Sequence, residues 1–158
     1  IVLPGVGNAR AAMEQLRGMG MADAVTEAAR EGTPLLGVCL GMQLLFGDQE
    51  EGPTTGLGLL AGEARRLPSG QKVPHMGWNT VRFTSGTPLQ DEQDTQFYFV
   101  HSYVVHPSDE RDVAGVTSYG GPFPSIVIRD TIWGTQFHPE KSGIAGLRLL
   151  ARWLDWAP

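Results

Sequence analysis

The sequence predicts an α/β protein that combines a central, mostly parallel sheet with a section of antiparallel strands. Residues 1–46 alternate short apolar runs with helix-forming runs, the order that produces parallel strands. Residues 80–137 hold short β-branched and aromatic runs separated by Gly, Pro, Ser and Asp, as in strands joined by turns. A last helical pattern follows without a repeat or a linker, so we expect residues 1–158 to form a single domain.

The first 34 residues predict a strand followed by two helices. Residues 1–3 are apolar and favour a strand, and residues 4–8 place two glycines in a tight loop. Residues 9–16 are rich in alanine and predict a helix. Residues 21–30 predict a second helix, with four apolar residues at helical spacing: Ala22, Val25, Ala28 and Ala29.

The sequence opens at Ile1, without a Met and already inside a strand pattern. A parallel sheet rarely starts with a strand that leads straight into a functional loop. We therefore expect an N-terminal βαβ unit, roughly 30 residues or more, to be missing from this sequence.

A candidate nucleophile follows the second strand. Residues 35–38 are apolar, and Gly37-Val38-Cys39-Leu40-Gly41 leads into an apolar helical run over residues 40–46. This layout is typical of a nucleophile elbow, a strained strand-to-helix turn with flanking glycines. The helix N-terminus would favour a Cys39 thiolate. The alternative is a small core residue, and on this motif alone the two interpretations weigh about equally.

The middle of the chain is less regular. Residues 47–53 form an acidic stretch that we predict to be a loop, most simply solvated surface. Short apolar pieces follow at residues 57–60 and 64–67. Residues 72–79 are interpreted as a compact loop that carries His75, Trp78 and Asn79, either a packed turn or a functional surface.

The antiparallel section and a final helix complete the chain. Strands are predicted at six short runs: residues 81–83, 96–100, 103–105, 115–117, 125–128 and 131–137. The last helix is predicted from about residue 144 to 156, with four apolar residues on one face: Ile144, Leu147, Leu150 and Leu154.

His138 and Glu140 leave the last strand two residues apart. Residues i and i+2 of an extended segment point to the same side, and Pro139 fixes the backbone between them. A cysteine nucleophile needs a histidine to take its proton and a carboxylate to orient that histidine. A hydrogen-bonded structural histidine and a solvated glutamate remain the alternatives. His101, which follows a strand, could also approach the pocket.

Attack on a carbonyl would also require two donors for the oxyanion. The elbow supplies the backbone N–H of Leu40. The best second candidate is the loop at residues 4–7, through the N–H of Val6 or Gly7.

Composition excludes several other functions. Twelve basic and seventeen acidic residues give a net charge of −5 and no basic stripe, which argues against nucleic-acid binding. No apolar run approaches the roughly 20 residues of a membrane span. The single cysteine suits a reducing, cytoplasmic setting. No Cys or His spacing is typical of a zinc site, so we expect no metal and no other cofactor.

These motifs resemble those of a known family. The elbow Gly37-Val38-Cys39-Leu40-Gly41-Met42-Gln43 and the stretch Gln136-Phe137-His138-Pro139-Glu140 are similar to the class I glutamine amidotransferases. Within that class, three further stretches resemble the glutaminase subunits of imidazole glycerol phosphate synthases: residues 4–7 (Pro-Gly-Val-Gly), 73–79 (Val-Pro-His-Met-Gly-Trp-Asn) and 98–103 (Tyr-Phe-Val-His-Ser-Tyr). The resemblance implies a flavodoxin-like fold with helices on both faces of the sheet.

The resemblance also implies roles for individual residues. Cys39 would attack the glutamine side-chain amide, His138 would act as general base and acid, and Glu140 would orient His138. The remaining implied site residues are the oxyanion donors Val6 and Leu40 and the substrate-binding residues Gln43, Glu51, Ser102 and Tyr103, with Glu51 for the α-ammonium and residues 102–103 for the α-carboxylate.

The implied partner is a (β/α)8-barrel cyclase in a heterodimer. It would receive ammonia through a protected route and form imidazole glycerol phosphate and an aminoimidazole carboxamide ribotide in histidine biosynthesis. His75, Trp78, Asn79 and Lys141 would face it, and glutaminase activity would be low without it. Three alternatives stay open: the glutaminase of another class I amidotransferase, a stand-alone cysteine hydrolase or peptidase, and an inactive regulatory module.

Overall fold

The computed structural model describes residues 1–156, which form four α-helices and eleven β-strands. The helices are α1 (Ala9–Gly18), α2 (Met21–Arg30), α3 (Leu40–Leu44) and α4 (Gly143–Trp156). The strands are β1 (Val2–Leu3), β2 (Leu35–Val38), β3 (Phe46–Gln49), β4 (Thr54–Thr55), β5 (Leu60–Arg66), β6 (His75–Phe83), β7 (Thr95–His101), β8 (Tyr103–Pro107), β9 (Val113–Ser118), β10 (Pro122–Arg129) and β11 (Ile132–Thr135). Two 3-10 turns lie at Glu110–Asp112 and Pro139–Lys141.

The strands form two sheets, and the α/β class is confirmed. The larger sheet has seven strands in the order β1-β2-β11-β10-β9-β6-β7, and the smaller has four in the order β4-β3-β5-β8. In the larger sheet β2 is parallel to β1 and β11, while the four remaining neighbouring pairs are antiparallel. The sheet is therefore less parallel than the sequence predicts, because most of the antiparallel strands extend the same sheet instead of forming a separate section.

Helices cover both faces of the large sheet, as expected. Strand β2 shows why, since neighbouring residues of a strand point to opposite faces. Leu35 belongs to the core that includes buried residues of α1, α2 and α3, whereas Leu36 belongs to the core that includes Leu149 and Trp153 of α4. All four residues of β2 are buried, so the strand that leads to Cys39 lies between two apolar layers.

Two predicted element boundaries differ from the structure around Phe46. Helix α3 ends at Leu44, and Phe46 instead begins strand β3, which includes part of the stretch predicted to be an acidic loop. Phe46 is fully buried, and β3 pairs with both β4 and β5. Gly and Asp are poor strand formers, so cross-strand pairing outweighs local propensity here.

The predicted compact loop at residues 72–79 is also wrong from residue 75 onward. His75 to Asn79 lie in β6, which pairs with β7 along seven consecutive positions from His75 to Val81. The long-range ladder with β7 supplies the backbone hydrogen bonds that decide this conformation.

Helix α4 packs on a different face from the predicted apolar stripe. Of the four predicted residues, Ile144, Leu147 and Leu154 are 71%, 66% and 63% exposed, and only Leu150 is half-buried against the core. The buried residues of the helix are Gly146, Leu149 and Trp153. A Cβ built on Gly146 would lie 1.8 Å from the carbonyl oxygen of Pro139, so the helix backbone approaches that turn as only glycine permits.

Within residues 1–156, no helix has both the length and the apolar character needed to cross a lipid bilayer.

Candidate active site

Cys39 lies on a strained turn between β2 and α3. Its backbone has φ 54° and ψ −108°, a conformation that non-glycine residues rarely adopt. The flanking glycines allow this turn: a Cβ on Gly41 would lie 1.8 Å from the Leu3 carbonyl oxygen, and one on Gly37 would lie 2.8 Å from the backbone of Gly41. The Cys39 N–H donates to Thr135 at 2.7 Å, which ties the turn to β11. The turn has the geometry that the elbow motif predicts.

The Cys39 thiol is buried, and this changes its chemistry. Its Sγ lies 3.8 Å from the carbonyl oxygen of Val100, to which the thiol donates, and 3.8 Å from the Gln136 Nε2 that donates to it. Burial raises the pKa of Cys39 to about 11, and the hydrogen bond from the Leu40 backbone offsets only part of that rise. The expectation of a thiolate is thus wrong for this resting structure, since burial outweighs the N-terminus of a helix only five residues long.

Alkylation of Cys39 should show this raised pKa directly. The thiolate is the nucleophile, and an acid with a raised pKa stays protonated over a wider pH range. The iodoacetamide rate should therefore rise about tenfold for each pH unit from pH 7 to 10 without a plateau, whereas a thiol with the ordinary pKa of 9.0 begins to level off there. Mass spectrometry measures the rate, and circular dichroism checks that the fold persists. A plateau by pH 8 would contradict the burial argument; Cys39→Ala is the blank, because the chain has one cysteine.

His138 and Glu140 form a hydrogen-bonded pair. Nδ1 of His138 lies 2.7 Å from Oε1 of Glu140. A carboxylate only accepts, so Nδ1 carries the proton, and in the neutral ring Nε2 is left as an acceptor. That Nε2 is buried and has no hydrogen-bond partner among the described residues. The backbone N–H of His138 donates to the Tyr98 carbonyl, and the His138 carbonyl accepts from the Ser142 hydroxyl. These two hydrogen bonds fix the backbone from which the imidazole projects.

One cavity, of about 270 Å³, collects Cys39 and the predicted oxyanion and substrate residues. Val6 and Leu40 line it close to the elbow. The other predicted residues on its wall are Gln43, Glu51, Ser102 and Tyr103, and His101 also lines it, as its position after a strand suggested. These positions lie up to 97 residues apart in sequence (6 to 103), so the tertiary fold is what brings them together.

The structure does not place His138 on the wall of that cavity. His138 and Glu140 line a neighbouring cavity of about 750 Å³, which shares Val6 and Leu40 with the first. The part of the chain that the structure describes contains no hydrogen bond between Cys39 and His138. Both follow adjacent parallel strands, β2 and β11, and leave the sheet at the same edge.

Gln43 and Glu51 already have protein partners. The Gln43 amide nitrogen donates to the Tyr103 carbonyl at 3.2 Å and to the Gln136 side chain at 3.3 Å. Oε2 of Glu51 accepts from the Ala9 N–H at 2.9 Å and so stabilises the N-terminus of α1. A carboxylate has four lone-pair sites, which leaves Glu51 acceptors for a cation in the cavity.

Gln136 is a site residue that the sequence reasoning missed. It is fully buried, and its amide donates to Cys39 Sγ while its oxygen accepts from Gln43. The available signal was its position, because Gln136 lies two residues before His138 in the same short stretch after the last strand.

The predicted partner-facing residues are not all at the surface. Trp78 is 55% exposed beside Met76, which is 63% exposed on the same side of β6, and Lys141 is exposed. Asn79 is half-buried. His75 is only 3% exposed, so the prediction that its side chain faces a partner is wrong: the ring packs between Phe99 and Tyr119.

No group of three or more His, Cys, Asp or Glu side chains in residues 1–156 is arranged to hold a metal ion.

Comparison with known proteins gives a consistent result. The family "Glutamine amidotransferase class-I" matches residues 1–154. The imidazole glycerol phosphate synthase subunit HisH of Geobacillus thermodenitrificans is 51% identical over 162 residues, which covers 98% of this chain and 76% of that protein. The HisH subunit of Moorella thermoacetica is 50% identical over 153 residues, covering 95% and 73%.

Solved structures share the fold at low sequence identity. A glutamine amidotransferase crystal structure matches with a TM-score of 0.76 at 22% identity, covering 99% of this chain and 77% of that chain. The structure of PurLQS from Thermotoga maritima matches with a TM-score of 0.66 at 18% identity, covering 87% and 68%.

Proposed function

Since the chain belongs to the class I glutamine amidotransferase family, we propose that it is the glutaminase subunit of an imidazole glycerol phosphate synthase and hydrolyses L-glutamine to glutamate and ammonia. In this proposal the ammonia passes to a cyclase subunit in a heterodimer, which uses it in histidine biosynthesis. A reactive thiol that must stay reduced suits the cytoplasm.

The observation that carries the proposal is the state of His138. Nδ1 of His138 donates to Glu140, so Nε2 is the ring nitrogen that can accept a proton. Nε2 is buried without a partner among the described residues, at the sheet edge where Cys39 occupies its strained turn. A buried acceptor without a partner is rare unless it has a function. The substrate and the pathway are inferred from relatives that are about half identical over nearly the whole chain.

In the proposed reaction His138 takes up and returns every proton that is transferred. Nε2 takes the Cys39 proton as Sγ attacks the amide carbon, and the tetrahedral oxyanion accepts from the N–H groups of Leu40 and Val6. The imidazolium returns that proton to the leaving nitrogen, which departs as ammonia and leaves a glutamyl thioester. Water, deprotonated by the same imidazole, then cleaves the thioester and regenerates the thiol.

The raised pKa of the Cys39 thiol means that the thiol needs a base, and in this proposal the His138 imidazole is that base. Because burial keeps Cys39 protonated at neutral pH, the thiolate must form by transfer to a nearby base. The cavity residues supply the binding: Glu51 takes the α-ammonium of glutamine, and the backbone at Ser102 and Tyr103 takes its α-carboxylate.

The proposed partner surface is the exposed side of β6 with the turn beyond His138. Trp78 and Met76 form an exposed apolar pair, and Lys141 adds a charge within three residues of His138. Asn79 contributes from a half-buried position. Large exposed apolar side chains of this kind are typical of interaction sites.

Glutamine hydrolysis with and without a cyclase tests this function. Purified chain should release glutamate slowly alone and at least tenfold faster when a matching (β/α)8-barrel cyclase is added, with ammonia consumed by the complete synthase reaction. The Cys39→Ala variant in the same complex is the control and should be inactive. Equal glutamine turnover with and without the cyclase, or cleavage of peptides or esters instead, would favour a stand-alone cysteine hydrolase.

A further inference from the structure

Two buried histidines beside the cavity take no part in the proposed chemistry: His101 lines the cavity, and His75 lies next to His101. His75 begins β6 and His101 ends β7, directly opposite each other in the ladder. They are 3% and 5% exposed. The His75 ring stacks between Phe99 and Tyr119 at centroid distances of 4.9 and 4.1 Å. These aromatic neighbours shield the pair from water, so each ring nitrogen needs a protein partner.

The hydrogen bonds of the pair fix where each proton lies. Nδ1 of His101 is 2.9 Å from the Tyr103 carbonyl oxygen, which can only accept, so His101 carries its proton on Nδ1. Nε2 of a neutral His101 must then accept, and it lies 2.9 Å from Nδ1 of His75. His75 therefore also carries its proton on Nδ1.

The other end of the chain of hydrogen bonds agrees with this assignment. Nε2 of His75 is left as an acceptor, and the Asn79 amide nitrogen lies 3.2 Å from it. The orientation of that amide is determined by its other contacts: its nitrogen donates to the Ser118 carbonyl at 3.0 Å, and its oxygen accepts from the Thr80 N–H at 2.8 Å. Every donor in the series therefore points the same way, from Asn79 through His75 to His101.

Burial keeps both rings neutral. It lowers the pKa of His75, and it lowers the pKa of His101 to about 3. The hydrogen bond to the Tyr103 carbonyl offsets part of this lowering of the His101 pKa, while His75 and His138, the chargeable groups that act on His101, lower it further. A neutral pair keeps one fixed tautomer at each ring near pH 7.

The series ends on a carbonyl of the cavity wall. The Tyr103 oxygen accepts from His101 and also from the Gln43 amide at 3.2 Å, which uses both of its lone pairs. The neighbouring carbonyl of Ser102 accepts from the Leu67 N–H at 2.9 Å. Both carbonyl oxygens of the segment are thus held by protein donors. A carbonyl turned into the cavity would repel an anion, whereas N–H groups would bind it.

We propose that His75 and His101 are positioning residues for the carboxylate end of the substrate: as two neutral imidazoles, both protonated on Nδ1, they hold the Tyr103 carbonyl by a hydrogen bond and so fix the backbone of residues 102–103 where it lines the cavity. The kinetic consequence rests on the proposed glutaminase function; the tautomers do not.

Nitrogen NMR tests the tautomers without any activity. Long-range ¹H–¹⁵N correlation spectra of histidine-labelled protein at pH 7 distinguish protonation on Nδ1 from protonation on Nε2, and substitutions at the two positions assign the signals. We expect the Nδ1–H form at both His75 and His101, although free histidine favours Nε2–H. An Nε2–H signal or a charged ring at either residue would overturn the proposal.

A matched pair of variants tests the effect on substrate. His101→Asn keeps an amide donor near the Nδ1 position, while His101→Phe keeps the aromatic packing and removes the donor. The assay is run with or without the cyclase, whichever gives measurable glutamine hydrolysis by the unmodified protein. We expect His101→Phe to raise the KM for glutamine about tenfold and to change kcat less than threefold. His101→Asn should change both KM and kcat less than threefold. Equal KM values in the two variants, or a loss confined to kcat, would contradict the positioning role.

The two readouts separate this proposal from the proposed function. Failure to hydrolyse glutamine together with Nδ1–H signals would refute the function and leave the proton arrangement standing. Normal hydrolysis together with an Nε2–H signal would refute only the arrangement. Should His101→Phe fail to fold, the spectra of the unmodified protein still decide the question.

Discussion

Replacing His138 by asparagine is expected to lower kcat/KM for glutamine hydrolysis on the order of 10⁴-fold. The variant loses the buried Nε2 that has no other partner among the described residues, and with it the base that takes the Cys39 proton. Since burial raises the pKa of Cys39 to about 11, spontaneous ionisation cannot replace that base near pH 7. The loss should fall on kcat, because His138 is not on the wall of the cavity that would hold the substrate.

Replacing Glu140 by glutamine should lower kcat/KM far less, about tenfold, since a hydrogen bond to a charged group is worth about 1 to 1.5 kcal/mol more than one to a neutral group. The Glu140 side chain is 54% exposed, so water already screens its charge, whereas the His138 side chain is 4% exposed. A glutamine can still accept from Nδ1 through its side-chain oxygen and keep the same tautomer. What it removes is only the extra stabilisation that a carboxylate gives to the imidazolium.

Steady-state glutaminase assays of both variants with the cyclase partner measure this difference. Thermal unfolding checks that each variant is folded, and the iodoacetamide rate at pH 10 checks that the Cys39 turn is intact. Comparable, slight losses from His138→Asn and Glu140→Gln would remove the assigned roles. A loss at Glu140 as large as that at His138 would mean that the carboxylate does more than orient the ring.

Replacing Gly146 by alanine should lower the free energy of unfolding by about 1–3 kcal/mol, the usual cost of overpacking, although alanine is the better helix former. Helix propensity alone would favour alanine by about 1 kcal/mol. The added Cβ would, however, lie 1.8 Å from the Pro139 carbonyl oxygen, a backbone atom that cannot move aside alone. Helix α4 must therefore shift away from the 3-10 turn at Pro139–Lys141.

Gly18→Ala is the matched control for this substitution. Gly18 is also in a helix, α1, and a Cβ there meets nothing within 4 Å, so this variant should be neutral or up to about 1 kcal/mol more stable. Urea unfolding followed by circular dichroism measures both. A stabilised Gly146→Ala variant would show that α4 does not approach the turn as closely as described.

The Gly146→Ala substitution should also reduce glutamine hydrolysis. Pro139 lies between His138 and Glu140, and the turn it begins also places Ser142, whose hydroxyl donates to the His138 carbonyl at 2.7 Å. A displaced turn would loosen the His138–Glu140 pair, so glutamine hydrolysis should fall at temperatures where the variant is still folded. The Gly18→Ala control should keep its activity.

The sequence by itself determined the features that short-range geometry controls. The apolar strand β2 and the glycines beside Cys39 predict the strained turn, because steric limits on one or two residues decide it. The short spacing of His138 and Glu140 also predicts their contact, although the backbone reaches it through the 3-10 turn at Pro139–Lys141 and not through the extended segment that the sequence predicts. Helix α2 likewise begins and ends where its local pattern predicts.

Only the tertiary structure decided the features that depend on distant partners. Residues 75–79 form a strand because β7 pairs with them. Helix α4 packs through Gly146, Leu149 and Trp153, since the Pro139 turn lies directly against Gly146. The protonated state of Cys39 and the contact with Gln136 follow from burial and from a neighbour 97 positions away. Desolvation and strand pairing are sums over groups that are remote in sequence, so no local pattern contains them.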